Sequence, residues 1–419
     1  MSVFSKSYDQ DISFNLVANS SQYYLIFLLF LIWPFGAFLY AFYNYDKSES
    51  KIILILFNAI FGYSLIAESG GLDLARVLKS LAPVTRMTFT EFQESRISEG
   101  SVDIYRDIVT FIVSRFTSNP KWLMFTFGIV AGYFYTRVLS IFINEHPGRD
   151  IYKIILVFSF SCIIGIDQLA GVRMSLAAYV FFYGAIKVIV HEDKRFLILA
   201  ASSSLIHFSF ISAIFLLLIF PLLKKHSGII YIILALSFIL PDLLQDYIQR
   251  FSGFFGQGIE ARAQLYYEYD PAYHTSDPSW YVRDRNILMM IYFYLVFLII
   301  QIKRKRIILS ESTNSLFLFS LIILSFVNFT LNIPSFGSRF QHVFLMFALF
   351  YLYKIYTENS DSLLVSYIVI FSIPFSLLII LYSLRSTLSI TPLSLYYFNL
   401  PGLFFDNSVY SAWTAIRSF

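Results

Sequence analysis

Long apolar runs alternate with short charged turns along most of the chain. The runs cover 22–43, 52–67, 122–143, 154–169, 172–190, 196–223, 228–241, 287–302, 314–333, 340–356 and 363–384. They do not alternate in polarity residue by residue, so they are not the strands of a transmembrane barrel. A segment in hydrocarbon must satisfy its own backbone hydrogen bonds, and a helix does so internally. The predicted fold is all-α: a polytopic helical membrane protein forming one integral membrane domain over residues 1–419.

Two polar stretches interrupt this pattern, at 68–121 and 242–286. The first carries acidic and basic residues in equal number. Its apolar residues recur at helical spacing in Phe89-Thr90-Glu91-Phe92 and Ile104-Tyr105-Arg106-Asp107-Ile108, which predicts amphipathic helices on the membrane surface. The second holds Arg250, Arg262, Arg283 and Arg285 among many tyrosines. Residues 1–20 are polar, precede the first apolar run and show no cleavable signal pattern.

Short basic loops mark the cytoplasmic side. Here they are Lys47/Lys51, Arg149/Lys153, Lys194/Arg195, Lys224/Lys225, Lys303-Arg304-Lys305-Arg306 and Lys354. The run 196–223 is long for one helix and contains Ser202-Ser203-Ser204 and His207. A single crossing would put Lys194/Arg195 and Lys224/Lys225 on opposite sides. A broken-helix hairpin puts every basic cluster on one side, and broken helices place polar groups at membrane depth. The hairpin reading predicts about 12 membrane segments, with both termini and both polar stretches extracytoplasmic.

Composition agrees. Only 14% of residues are charged and 57% are hydrophobic, against roughly 25% charged in soluble proteins. The net charge of +4 sits mainly in short loops, so nucleic acid is not an expected partner. The 47 Phe and 30 Tyr suit lipid-facing surfaces and interfacial belts. Cys162 stands alone and cannot form an internal disulfide. No Cys/His cluster, Gly-rich phosphate loop or nucleophile elbow occurs, so neither a metal nor a cofactor is expected. Asp9-Gln10-Asp11 has the Asp-x-Asp form of nucleotide-sugar enzymes but lies on the wrong side for such donors.

Ionisable groups in apolar runs are the candidates for chemistry, because charge at membrane depth is costly. Arg173 opens one run. It is either a snorkelling arginine or an anion site, where its fork of donors suits a diphosphate. Arg339 and His342 share a helix face after the breaker-rich Pro334-Ser335-Phe336-Gly337-Ser338. They are an interfacial anchor and a core histidine, or an anion site with a base. His207 has Ser204 and Ser209 as ready hydrogen-bond partners, which favours a structural role over catalysis. Arg283 and Arg285 stand just before a run on the outer side, where a headgroup would arrive. Asp167, six residues before Arg173, reads as its ion-pair partner. Asp73 is a helix N-cap or a general base.

Three of these stretches carry a family resemblance: Gly171-Val172-Arg173-Met174-Ser175-Leu176-Ala177, Ser204-Leu205-Ile206-His207-Phe208-Ser209 and Gly337-Ser338-Arg339-Phe340. Over residues 22–385 the chain resembles the EpsG-like branch of Wzy-type polysaccharide polymerases. The family's acidic position after the second run matches as Asp73, but the tyrosine that often follows it has no clear counterpart, and Arg76 and Leu78 stand nearby. The resemblance implies a glycosyltransferase of the bacterial inner membrane that polymerises repeat units on the periplasmic face, as for O-antigen or exopolysaccharide. Donor and acceptor would be glycans on undecaprenyl diphosphate, and a chain-length regulator a further partner. The reaction would be a metal-independent inverting transfer. Arg173, Arg339, Arg283 and Arg285 would hold the diphosphate, and the base would come from His342, Asp73 or His207, with His342 best placed. Two rival readings are a lipid-linked glycan flippase or transporter, which predicts an internal repeat, and an O-antigen ligase, which shares the donor and the chemistry.

Overall fold

A computed structural model describes residues 20–66, 71–98, 103–145, 150–240, 285–331, 333 and 336–418. Asp9-Gln10-Asp11, Arg283 and nearly all of the 242–286 stretch lie outside the described residues. Within them the chain is helical, with turns and no strand. The helices are α1 (Ser20–Ile32), α2 (Pro34–Tyr43), α3 (Ser48–Tyr63), α4 (Gly71–Val84), α5 (Phe89–Ser98) and α6 (Ile104–Ser114). They continue with α7 (Pro120–Glu145), α8 (Ile151–Ile163), α9 (Arg173–Ile189), α10 (Phe196–Ile206), α11 (Phe210–Lys225) and α12 (Ser227–Ile239). After the undescribed stretch come α13 (Arg285–Ile302), α14 (Glu311–Thr330), α15 (Phe336–Glu358), α16 (Leu363–Ile390), α17 (Leu400–Phe405) and α18 (Ala412–Arg417).

Four segments, Pro120–Ile143, Ile151–Gln168, Glu311–Thr330 and Leu363–Ile390, are long and apolar enough to cross a membrane. Other apolar helices, such as Phe196–Ile206, Ser227–Ile239 and Ile287–Ile302, are shorter. Length alone therefore does not yield the expected count of about 12 segments. One reason is visible at the start. The run 22–43 is not one helix, because Pro34 at the first position of α2 lets Trp33 leave helical geometry at φ −149° and ψ 84°. The Trp33 indole N–H then donates to the Tyr396 carbonyl at 2.7 Å.

α14 is 83% buried over its apolar window, while α16 is only 33% buried. α14 is thus a central helix, and α16 turns Phe371, Leu377 and Leu381 outward. α11, α12 and α13 likewise expose Phe215, Leu218, Phe238 and Leu295, an apolar exterior suited to lipid. The aromatics are not confined to that exterior, as composition suggested. Phe142, Phe181, Phe182, Phe344, Tyr351 and Tyr353 are fully buried. Phe182 meets Phe347 and Phe350 edge-on at 4.9 and 5.9 Å. Such pairs favour close contact where lipid offers no hydrophobic drive between helices. α3 and α7 approach through glycine: a Cβ at Gly128 would stand 2.3 Å from the Asn58 carbonyl oxygen.

The 68–121 stretch forms α4, α5 and α6. One stripe of α6, Ile104, Ile108 and Ile112, is about half exposed while Thr110, Val113 and Ser114 are buried. A helix exposing an apolar stripe suits an interface with lipid.

α10 and α11 run in opposite directions. Phe196, at the start of α10, lies beside Lys187 near the end of α9. His207, after α10, meets Arg339 at the start of α15. α11 then returns: Phe220 packs on Phe319 at 5.2 Å, and Lys224 pairs with Glu311 at 3.1 Å. Glu311 is next to Ser310, whose hydroxyl donates to Glu358 at the far end of α15. The serines help end α10: Ser202, Ser203 and Ser204 donate to the carbonyls of Leu199, Ala200 and Ala201, bonds that tighten and bend a helix. The turns around Glu192 and His226 therefore lie at one end of the helices, and the His207 break at the other.

This geometry predicts how cysteine variants react with a membrane-impermeant thiol reagent. Cysteines replacing Glu192 and Ser227 should share one accessibility. A cysteine replacing Ser408, exposed beside Asp406 at the opposite end, should show the other. Opposite labelling of Glu192 and Ser227 variants in intact cells would mean a single crossing.

Candidate active site

Four chain segments meet where α9, α10 and α15 present the same end. α9 begins abruptly. After the 3-10 turn Ile166–Gly171, Val172 takes φ 45° and Arg173 is the first helical residue. A β-branched residue at positive φ costs about 1–3 kcal/mol and persists only where its surroundings enforce it. Val172 is buried. Ser175 donates to the Gln168 carbonyl at 3.0 Å, and Tyr179 to that of Ile164, tying the turn to α9.

Arg173 does not pair with Asp167, contrary to the expectation from their spacing. The 3-10 turn leaves Asp167 accepting from Gln168 Nε2 at 3.0 Å and Ser383 Oγ at 3.1 Å. Arg173 Nη1 instead donates to Oδ2 of Asp103, a residue that sequence reading did not single out. Asp103 stands immediately before α6, at its N-cap position, yet its side chain caps nothing there. It is fully buried. Its other oxygen, Oδ1, accepts from the Phe208 N–H at 3.2 Å and faces His207 Nδ1 at 3.4 Å. Burial alone would raise the Asp103 pKa. The hydrogen bond from His207, the charge of Arg173 and the Phe208 amide outweigh it and hold the carboxyl well below the usual range.

His207 is buried and bridges Asp103 to Arg339, whose Nη1 lies 3.3 Å from Nε2. A guanidinium only donates, so Nε2 is the acceptor and the proton sits on Nδ1, donating to Asp103. The serines expected to partner His207 do not: Ser204 bonds within its own helix, and Ser209 Oγ has no partner among the described residues.

Arg339 is placed by the junction of α14 and α15. A Cβ at Gly337 would lie 2.3 Å from the Thr330 carbonyl oxygen and 2.8 Å from Leu331 Cα. Only glycine lets α15 start against the end of α14. Arg173, His207, Ser338, Arg339 and His342, with Gln168, Ser175, Ile163, Ile164 and Met174, line a cavity of about 210 Å³. Arg173, Arg339 and His342 are half-buried, whereas His207 lies deeper. Among the described residues no carboxylate lines this space, so the cavity suits an anion.

Asp73 lies in the first turn of α4 and Arg285 opens α13, but their side chains are outside what the structure describes, as is Arg283. The fold and site together define a helical membrane protein with a cavity lined by arginine and histidine. Residues 86–398 match the model of the EpsG family, and the chain belongs to that family. This family is associated with polysaccharide polymerase-type activity. No curated protein and no solved structure matches the chain.

Gly337→Ala tests the placement of Arg339. Overpacking against backbone should cost about 1–3 kcal/mol. Polymer output should fall at least as far as in Arg339→Ala, while part of the protein still accumulates in membranes. Wild-type output from Gly337→Ala would show that the α14–α15 junction does not set the guanidinium.

Proposed function

We propose that this chain polymerises oligosaccharide repeat units carried on undecaprenyl diphosphate, at the periplasmic face of the bacterial inner membrane. One observation carries the reading. Two arginines and two histidines from distant segments line one cavity, with no carboxylate among the described lining residues. A cavity of about 210 Å³ has room for roughly seven waters at about 30 Å³ each, the scale of a diphosphate headgroup. Ile163, Ile164 and Met174 offer an apolar side toward an isoprenoid chain. The basic short loops mark the opposite end as cytoplasmic, which orients the cavity outward. The membrane segments number about 12, with α10 and α11 as a re-entrant pair.

The reaction is a single displacement. The acceptor hydroxyl oxygen attacks the anomeric carbon of the donor sugar as the bond from that carbon to the diphosphate oxygen breaks, with inversion. His342 takes the hydroxyl proton. Arg173 and Arg339 stabilise the charge that builds on the departing diphosphate. A base must come within about 3 Å of the hydroxyl it serves, and His342 is half-buried at the cavity wall, one helical turn from Arg339.

Arg173→Ala, Arg339→Ala and His342→Ala should each leave cells displaying single repeat units while the protein accumulates. Losing one such charge-stabilising donor costs about 10²–10³ in rate. Arg→Lys should rescue poorly, because a point charge does not reproduce the bidentate fork. Normal chain length in an alanine variant removes that residue from the mechanism. Long chains left on the carrier lipid would point to a ligase. Repeat units left at the cytoplasmic face would point to a flippase.

A further inference from the structure

Asp103 is buried behind the cavity wall and touches what the two candidate anion-binding arginines depend on. Oδ2 holds Arg173 directly. Oδ1 faces His207 Nδ1, and Nε2 of the same ring faces Arg339. A neutral imidazole has one N–H and one lone pair. An acceptor at Nδ1 therefore forces the lone pair onto Nε2, where it receives an N–H of Arg339. With the proton on Nε2, two donors would oppose each other across 3.3 Å. One carboxylate thus sets the direction of both guanidinium groups, one by contact and one through the tautomer of a histidine.

We infer that Asp103 is a positioning residue of this site, locking His207 in its Nδ1–H tautomer so that Arg173 and Arg339 together face the diphosphate of a lipid-linked glycan. This rests on the polymerase reading above. It assigns His207 the role of a bridge and gives the outer 68–121 stretch a part in substrate binding through the arginine it holds. The Phe208 N–H on Oδ1 adds a backbone anchor at the α10–α11 break, so the carboxylate also fixes the break itself.

The substitutions separate these roles. Asp103→Asn is isosteric. Its amide oxygen still accepts from His207 and Phe208, while its NH₂ presents a donor to Arg173 and drops that guanidinium. Glutamine at 207 imitates the locked tautomer, with an N–H toward Asp103 and an oxygen toward Arg339, and it neither titrates nor takes a proton. The measurement is kcat/KM per folded protein in membranes or detergent, with an undecaprenyl-diphosphate-linked repeat unit as substrate.

Asp103→Asn should lower kcat/KM roughly ten- to hundredfold, as the loss of a supporting partner does at other sites. Combined with Arg173→Ala it should do little more than Arg173→Ala alone, because both remove the same placement. His207→Gln should recover much of what His207→Ala loses. Wild-type kcat/KM in Asp103→Asn, additive losses in the double variant, or a folded His207→Gln as inactive as His207→Ala would each overturn the positioning role. Failure of the polymerase reading looks different. There, the unsubstituted protein itself shows no turnover of the lipid-linked repeat unit, whatever Asp103→Asn does.

Discussion

A carboxylate shut away from solvent is the constraint on which the site end of this protein depends. Taking an ion out of water costs several kcal/mol even after relaxation, and only well-placed partners offset it. Asp103 finds them far away in sequence: Arg173 is 70 positions on, and His207 and Phe208 are 104 and 105. Those partners belong to α9 and to the junction of α10 and α11. α6, α9 and the break must therefore arrive together for any one of them to be tolerated. Removing one partner of a buried pair costs about 3–5 kcal/mol, since the other charge is left behind. The network commits the chain to one arrangement of elements that the apolar packing alone would leave freer to slide.

The break beside it meets the same demand in backbone terms. Irregular backbone at membrane depth is tolerated only where its N–H and C=O groups find partners or line a cavity. Around His207 they do. The His207 N–H bonds the Ser203 carbonyl at 2.9 Å, and Phe210 and Ile211 bond His207 and Phe208 at 3.1 and 3.0 Å. Phe208 gives its own N–H to Asp103. The hairpin and the charge network are one construction. The break supplies a donor to the carboxylate, and the carboxylate closes a hydrogen bond that the interrupted helix leaves open.

What was legible beforehand follows from rarity. In a chain this apolar, an arginine or histidine inside a run stands out, so Arg173, His207, Arg339 and His342 could be picked one by one, and the structure places all four around a single cavity. Asp103 could not be picked that way. It sits among as many acids as bases, and a helix N-cap is an ordinary place for an aspartate. Its distinction lies in partners that only the tertiary fold brings near. Local spacing misled in the opposite sense at Asp167, where proximity in sequence suggested a pair with Arg173. The 3-10 turn and the positive φ of Val172 send the two side chains to different neighbours. The kink at Trp33 had a visible cue in Pro34, but a continuous apolar run outweighed it in reading 22–43 as one span.

The choice of arginine at 173 and 339 has a geometric basis in these contacts. Each guanidinium is already engaged behind the cavity wall, Arg173 through Nη1 to a carboxylate and Arg339 through Nη1 to an imidazole. A planar guanidinium carries several N–H donors in fixed directions, so one edge can be held while another is presented. An ammonium group has rotatable donors around a single point and is strongly hydrated, so a contact made behind the wall would not aim the rest forward. Holding the group in advance also spares some of the ordering cost that a flexible side chain incurs when an anion arrives. The buried carboxylate and the neutral histidine therefore act on the substrate without touching it, by fixing which edge of each arginine faces the cavity.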